Sequence, residues 1–207
     1  MLISFENIVS FLNAKNIKVS GVFHVGAHEC EELNAYVANG VKEDAILWVE
    51  GNTEIFNRIK SQVKNVINEM VDETTGKELP FYITNNGQSS SILSLGTHMK
   101  HHPDVFVVET KKCYTKTIKD IGADYNIDFK MFNFWNFDIQ GAELRALKGA
   151  GKLLENVQAL YVEVNTEKVY VDCPLVEEID AYVETFGLKR VMTNLTSWGW
   201  GDALYVK

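Results

Sequence analysis

Several carboxylates stand at the ends of short apolar runs, where they can do chemistry. Glu50 closes Ala45–Glu50, Asp138 lies near the end of Phe132–Ile139, Glu163 lies near the end of Ala159–Val164, and Asp72 follows residues 65–71. A further run, Gly21–Ala27, ends in Gly26 and Ala27, with His28 next. An acid at a strand end can accept ribose hydroxyls, hold an ammonium group or take a proton. Gly26 lets backbone approach a ligand, and Glu50, 24 residues later, is placed for a ribose diol. The plain alternative is a tight-turn glycine followed by an acid that caps a loop. Positions 26, 28 and 31 are Gly, His and Glu, so the dinucleotide fingerprint GxGxxG is absent, and no GxxxxGK[ST] loop occurs. A ribose acid without a pyrophosphate cradle points to a nucleoside cofactor lacking a diphosphate. S-adenosylmethionine fits that description better than NAD.

Other groups have more than one reading. His98 and His102 share a helical face at i,i+4, with His101 beside them. They suit an acceptor pocket, a base or plain solvation. No HExxH and no Cys pair supports a metal centre, so none is expected. Ser89–Ser91 can donate to a polyol or form a surface loop. Trp198 and Trp200 can stack on sugar faces, mark a subunit contact or fold onto a sheet. Glu143 suits the first turn of a helix as well as a catalytic role.

The elements that must position these residues follow from patterning. Helices are expected over about 4–15, 30–39, from 52 or 53 to 63, and 142–148, with another after Pro174. The run at 45–50 lacks alternation, as strands covered on both faces do; 21–27 reads as a short apolar strand entering a tight turn, 132–139 as an aromatic-rich strand and 159–164 as another buried strand. Residues 65–71 read as a third strand and 79–84 as another. Residues 92–104 are ambiguous, and helical spacing returns around Thr115–Ile121. The end of the chain, 188–195 and 203–206, reads as a hairpin. The expected architecture is α/β: a mostly parallel central sheet with a C-terminal antiparallel hairpin, in a single domain over 1–207.

The chain has 207 residues, 46% of them hydrophobic, and a formal net charge of −8. Such a balance permits a sizeable core and argues against nucleic acid as a partner. No apolar run reaches membrane-spanning length, and the first residues do not read as a signal peptide. Three widely spaced cysteines make no disulfide framework. A cytoplasmic protein is expected, with monomer and homo-oligomer both open.

Taken together, certain stretches resemble the FkbM family of S-adenosylmethionine-dependent methyltransferases. They are GVFHVGAHEC at 21–30, LWVEGN at 47–52, NNGQSSSIL at 85–93, FDIQGAELRALKGAGKLLENV at 137–157, ALYVEVN at 159–165 and GWGDALYVK at 199–207. The resemblance implies a class I methyltransferase fold, Rossmann-like, and O-methylation of a sugar, glycan or related hydroxyl. It places Gly26, Ala27 and His28 along the cofactor's methionine and sugar. It puts Glu50 on the ribose, Asn52 just beyond, Asp72 towards adenine and Asp138 at the methyl-transfer centre. Asp138 is the first choice as base, with Glu163 and His98 in reserve. Two positions depart from many relatives: His24 stands in place of Asp, and Cys30 in place of Gly. The competing classes are a non-catalytic binding protein on the same fold and a nucleotide-dependent oxidoreductase or epimerase.

Overall fold

A computed structural model describes all of residues 1–207. Its main sheet contains β1 (Val22–Val25), β2 (Ile46–Val49), β3 (Val66–Ile67), β7 (Phe134–Phe137), β8 (Ala159–Asn165), β9 (Lys189–Leu195) and β10 (Trp200–Val206). Their order is β3-β2-β1-β7-β8-β10-β9. The first five are mutually parallel, and β10 runs antiparallel to both β8 and β9. This is the expected parallel sheet with an antiparallel end.

Every residue of β1, β2, β7 and β8 is buried. The sheet is covered on both faces, which explains runs that are apolar without alternation. Phe23, Val25, Leu47, Val49, Trp135 and Phe137 face one core. Val22, Ile46, Trp48 and Phe134 face the other, together with Phe5, Ile8 and Leu12 of α1 (Phe5–Ala14). Ser4 caps α1 by accepting from the Asn7 amide at 3.3 Å. α2 (Leu33–Ala38) and α3 (Thr53–Ile59) follow β1 and β2. α2 begins later than residue 30 because His28 and Cys30 are left-handed, with φ of 42° and 56°. A helix cannot run through such residues.

From β1 the chain builds outward to β3, then returns to lay β7 on the other side of β1. That reversal opens a crevice beyond the carboxyl ends of β1 and β7. Val25 pairs with Phe137, so Gly26 and Asp138 meet there. A Cβ on Gly26, at φ 90°, would fall 1.8 Å from the Asp138 carbonyl oxygen. Only glycine fits.

Two expectations need correction. Residues 65–71 do not form one strand. β3 ends at Ile67, and β4 (Met70–Val71) joins a separate sheet of order β4-β6-β5, with β5 (Glu78–Thr84) and β6 (Val107–Lys116). β6 occupies a stretch not expected to be strand, and the helix near 115–121 starts only at Ile118, as α5 (Ile118–Asp124). Residues 107–110 of β6 are all exposed, so no buried face imprinted a period of two on the sequence. Pairing along β5, from Glu78↔Tyr114 to Thr84↔Val107, holds the strand in place. The remaining helices are α4 (His98–His101), α6 (Glu143–Ala150) and α7 (Val176–Glu184).

Candidate active site

The crevice holds two adjoining cavities, of about 450 and 70 Å³. They share Gly26, His28, Gln88, Asp138 and Gln140 as a common wall. The smaller is an apolar slot between Val49, Ile55, Met70, Val71, Phe81 and Ile92, with Glu50 and Asn52 at its side. The larger extends over His24, Glu163, His98 and Tyr170.

Glu50 ties the loops of the slot together. Its Oε2 accepts from the His28 amide at 2.8 Å and its Oε1 from the Asn52 amide at 2.7 Å. Burial raises its pKa. An ionised carboxylate offers about four acceptor positions, so two remain for a ligand. Asn52 caps α3 by accepting from Glu54 N at 3.0 Å. The Gly26 and Ala27 amides both donate to the Val49 carbonyl, at 2.9 and 3.0 Å. With the His28 amide on Glu50, that turn keeps no free N–H row for a pyrophosphate.

His24 and Cys30, the two departures, are both accommodated. The Asn136 amide donates to Tyr36 Oη at 2.8 Å, so the Tyr36 hydroxyl proton turns to His24 Nδ1 at 3.0 Å. His24 thus lines the cavity as a neutral imidazole held through Nδ1. Burial and the nearby terminal ammonium push its pKa down to about 3. Cys30 is buried, and its thiol is pushed up to about 12 by burial and by Glu31 and neighbouring glutamates.

Asp138 and Glu163 face each other through Gln140. Gln140 Nε2 donates to Asp138 Oδ1 at 2.6 Å and to Glu163 Oε2 at 2.9 Å. Gln140 Oε1 accepts from Tyr170 Oη at 2.5 Å. Burial raises the pKa of both acids, and mutual repulsion adds to the rise at Glu163. Glu143 holds the loop behind them: its Oε1 accepts from Ile139 N at 2.9 Å and Gly141 N at 3.1 Å. Its burial pushes the pKa up to about 7. Gln140 and Gly141 take φ of 57° and 94°, a turn that needs this clamp. Glu143 is therefore a positioning residue.

Histidines and aromatic rings form the far wall. His98 is buried, its ring lies tilted against Tyr170 with centroids 5.6 Å apart, and its Nδ1 has no partner. Burial lowers its pKa. Trp198, by contrast, is 44% exposed and packs edge-on against His102.

Two assigned residues line neither cavity: Ala27 turns into the core behind Gly26, and Asp72 lies elsewhere. Asp72 borders neither cavity, and its carboxylate is gripped by Arg145 of α6 at 2.6 Å through both oxygens. The break after β3 carries Asp72 away with β4, and Met70 and Val71 reach the slot instead.

A model of the methyltransferase FkbM domain matches residues 24–189. The chain belongs to the FkbM methyltransferase family. Its fold resembles that of methyltransferase FkbM from Methylobacillus flagellatus KT at 16% identity and a TM-score of 0.55, covering 91% of this chain and 44% of that one. It also resembles magnesium protoporphyrin IX methyltransferase from Synechocystis PCC 6803, solved with bound SAM, at 8% identity and a TM-score of 0.50, covering 98% and 77%. The chain thus spans less than half the length of the first of these. No curated protein matches the sequence.

In this FkbM chain the structure brings Gly26, His28, Glu50, Asn52, Asp138, Glu163 and His98 to the walls of the two cavities, packs Ala27 into the core beside them and leaves Asp72 out. Sequence reasoning missed Gln140, Tyr170, Tyr36 and Asn136. Gln140 carried one signal, its place inside Asp-x-x-Gly-x-Glu. The two tyrosines and Asn136 act only through distant partners.

Proposed function

We propose that this chain is an S-adenosylmethionine-dependent methyltransferase acting on a hydroxyl of a sugar or glycan. The observation that carries this reading is Glu50, with two acceptor positions to spare, beside an apolar slot that opens past Gly26 onto Asp138. The donor set suits the cofactor. The slot takes a flat base, Glu50 takes a ribose diol, and the larger cavity offers carboxylates to an ammonium. Bound there, the cofactor supplies an electrophilic methyl group on a sulfonium.

The chain's own part is positioning and proton removal. Placing an acceptor oxygen in line contributes several kcal/mol, up to roughly 7–11 in ideal cases. Burial raises the pKa of both Asp138 and Glu163, with mutual repulsion adding to the rise at Glu163, and whichever of the two is ionised takes the hydroxyl proton. A base of this kind contributes about 10²–10⁴-fold. Gln140 fixes the pair, and His98 is the reserve acceptor. We take residues 1–207 as one catalytic domain. No helix is long and apolar enough to cross a membrane. The three unpaired cysteines suit a reducing, cytoplasmic setting.

The test is S-adenosylhomocysteine release from S-adenosylmethionine across a panel of sugar and glycan acceptors. Binding of the cofactor without release on any acceptor would point to a binding protein instead.

A further inference from the structure

One edge of β6 is open along most of its length. β5 pairs with the strand from Glu78↔Tyr114 to Thr84↔Val107, whereas β4 meets the other edge only at Thr115 and Lys116. Tyr82 of β5 exchanges both of its backbone bonds with Ser91, on the side away from β6, at 2.8 and 3.1 Å. Tyr82↔Thr110 is therefore a non-hydrogen-bonded pair, and the ladder bonds fall at Phe81↔Lys111 and Ile83↔Glu109. By the same alternation Thr110, Lys112 and Tyr114 turn their N–H and C=O groups to the open edge, where no loop of the chain engages them. Large apolar side chains are exposed beside them: Phe106 at 56%, Val108 at 55% and Tyr114 at 67%. A free edge of this kind is a template for another strand.

The charges on β6 specify which strand. Across an antiparallel seam, outward-turned residues must oppose outward-turned residues, so a two-fold axis between identical strands passes through a residue. With the axis at Thr110, that residue exchanges two hydrogen bonds with the partner subunit's Thr110. Glu109 then lies opposite the partner subunit's Lys111, twice by symmetry, and Phe106 comes beside the partner subunit's Tyr114. Moving the axis to Glu109 sets two carboxylates against each other, and moving it to Lys111 or Lys112 sets two ammonium groups together. Like charges directly opposite destabilise a strand pair, and opposite charges stabilise it. Lys111 already reaches Glu54 at 2.6 Å and Glu109 of its own strand at 3.2 Å. An ammonium has three donors, so one is left for a carboxylate across the seam.

We infer that two copies of this chain associate edge to edge through β6, antiparallel about a two-fold axis at Thr110, so that their small sheets become one. The contact is isologous and closes on itself. Its seam lies one strand away from Phe81 of β5, which walls the smaller cavity, so association braces that wall. The pairing needs no bound cofactor and stands apart from the methyltransferase reading.

The test is sedimentation velocity on the full chain over a micromolar concentration series. A shift from monomer to dimer mass is expected. Glu109→Lys and Lys111→Glu, each checked for folding by circular dichroism, set like charges across the seam and should raise the dimer Kd about tenfold or more. Mixing the two variants in equal amounts restores opposite charges at both positions, and the mixture should dimerise as the parent does. A parent protein that stays monomeric throughout the series would overturn the inference. So would a dimer that neither folded variant weakens, or a mixture that associates no better than its components.

Discussion

Replacing Glu50 probes the cofactor reading, and the geometry dictates which replacement to use. Glu50→Ala would strip the acceptors from two amides, those of His28 and Asn52. Each buried amide left unpaired costs about 1–3 kcal/mol. The pair would cost about 2–6 kcal/mol, a large share of a typical 5–15 kcal/mol stability. Lost binding would then be confused with lost folding. Glu50→Gln keeps one carbonyl oxygen and sets an –NH₂ against the second amide, so it should cost about 1–3 kcal/mol of stability. It also removes the charge from the bonds to a ribose diol. Hydrogen bonds to charged groups are worth about 1.5–3 kcal/mol, which corresponds to about a ten- to 150-fold rise in Kd. The assay is calorimetric titration with S-adenosylhomocysteine, at a temperature where thermal scans show both proteins folded. A Kd within twofold of the parent, in a folded variant, would refute the ribose assignment. A stability loss without a binding loss would make Glu50 a loop clamp and nothing more.

Three further outcomes are expected. Arg145→Met leaves the Asp72 carboxylate buried without its partner and should cost about 3–5 kcal/mol in urea unfolding, while cofactor Kd stays within twofold. A stable variant with badly weakened binding would return Asp72 to the cofactor. Glu143 has its pKa raised from 4.5 to about 7, so between those values the folded state binds more protons than the unfolded state. Stability from this group therefore falls as pH rises through that window, by an upper bound of about 3 kcal/mol. Glu143→Gln should gain on the parent protein between pH 5 and pH 8, and a pH-independent difference would contradict the assignment. Asp138→Asn should cut kcat by about 10²–10⁴-fold if Asp138 shares the base, and a normal rate with a true acceptor would exclude that role.

The parallel half of the fold was legible because burial on both faces leaves a plain mark. Val22–Val25, Ile46–Val49 and Phe134–Phe137 are buried throughout and, His24 and Asn136 apart, apolar, and were readable as strands. β6 was not. Its charges and exposed valines carry no period, and only its partner β5 makes it a strand. The same contrast runs through the site. Gly26, Glu50 and Asp138 stand at strand ends, and strand ends converge at the switch point by topology. Asp72 followed an apolar run too, but the run breaks at Asn68–Glu69 between two sheets, which local patterning does not reveal. Gln140's link to Tyr170 spans 30 residues, and the Asn136–Tyr36–His24 chain spans up to 112. Such partnerships exist only once the chain has folded.

The proposed function requires that this crevice bind an adenosyl cofactor without a diphosphate. Calorimetric titration of the unaltered protein with S-adenosylhomocysteine, with NAD in parallel, tests it most directly. Saturable one-site binding of S-adenosylhomocysteine is expected, with no heat of binding from NAD. Saturable binding of NAD alone, or of neither compound, would contradict it.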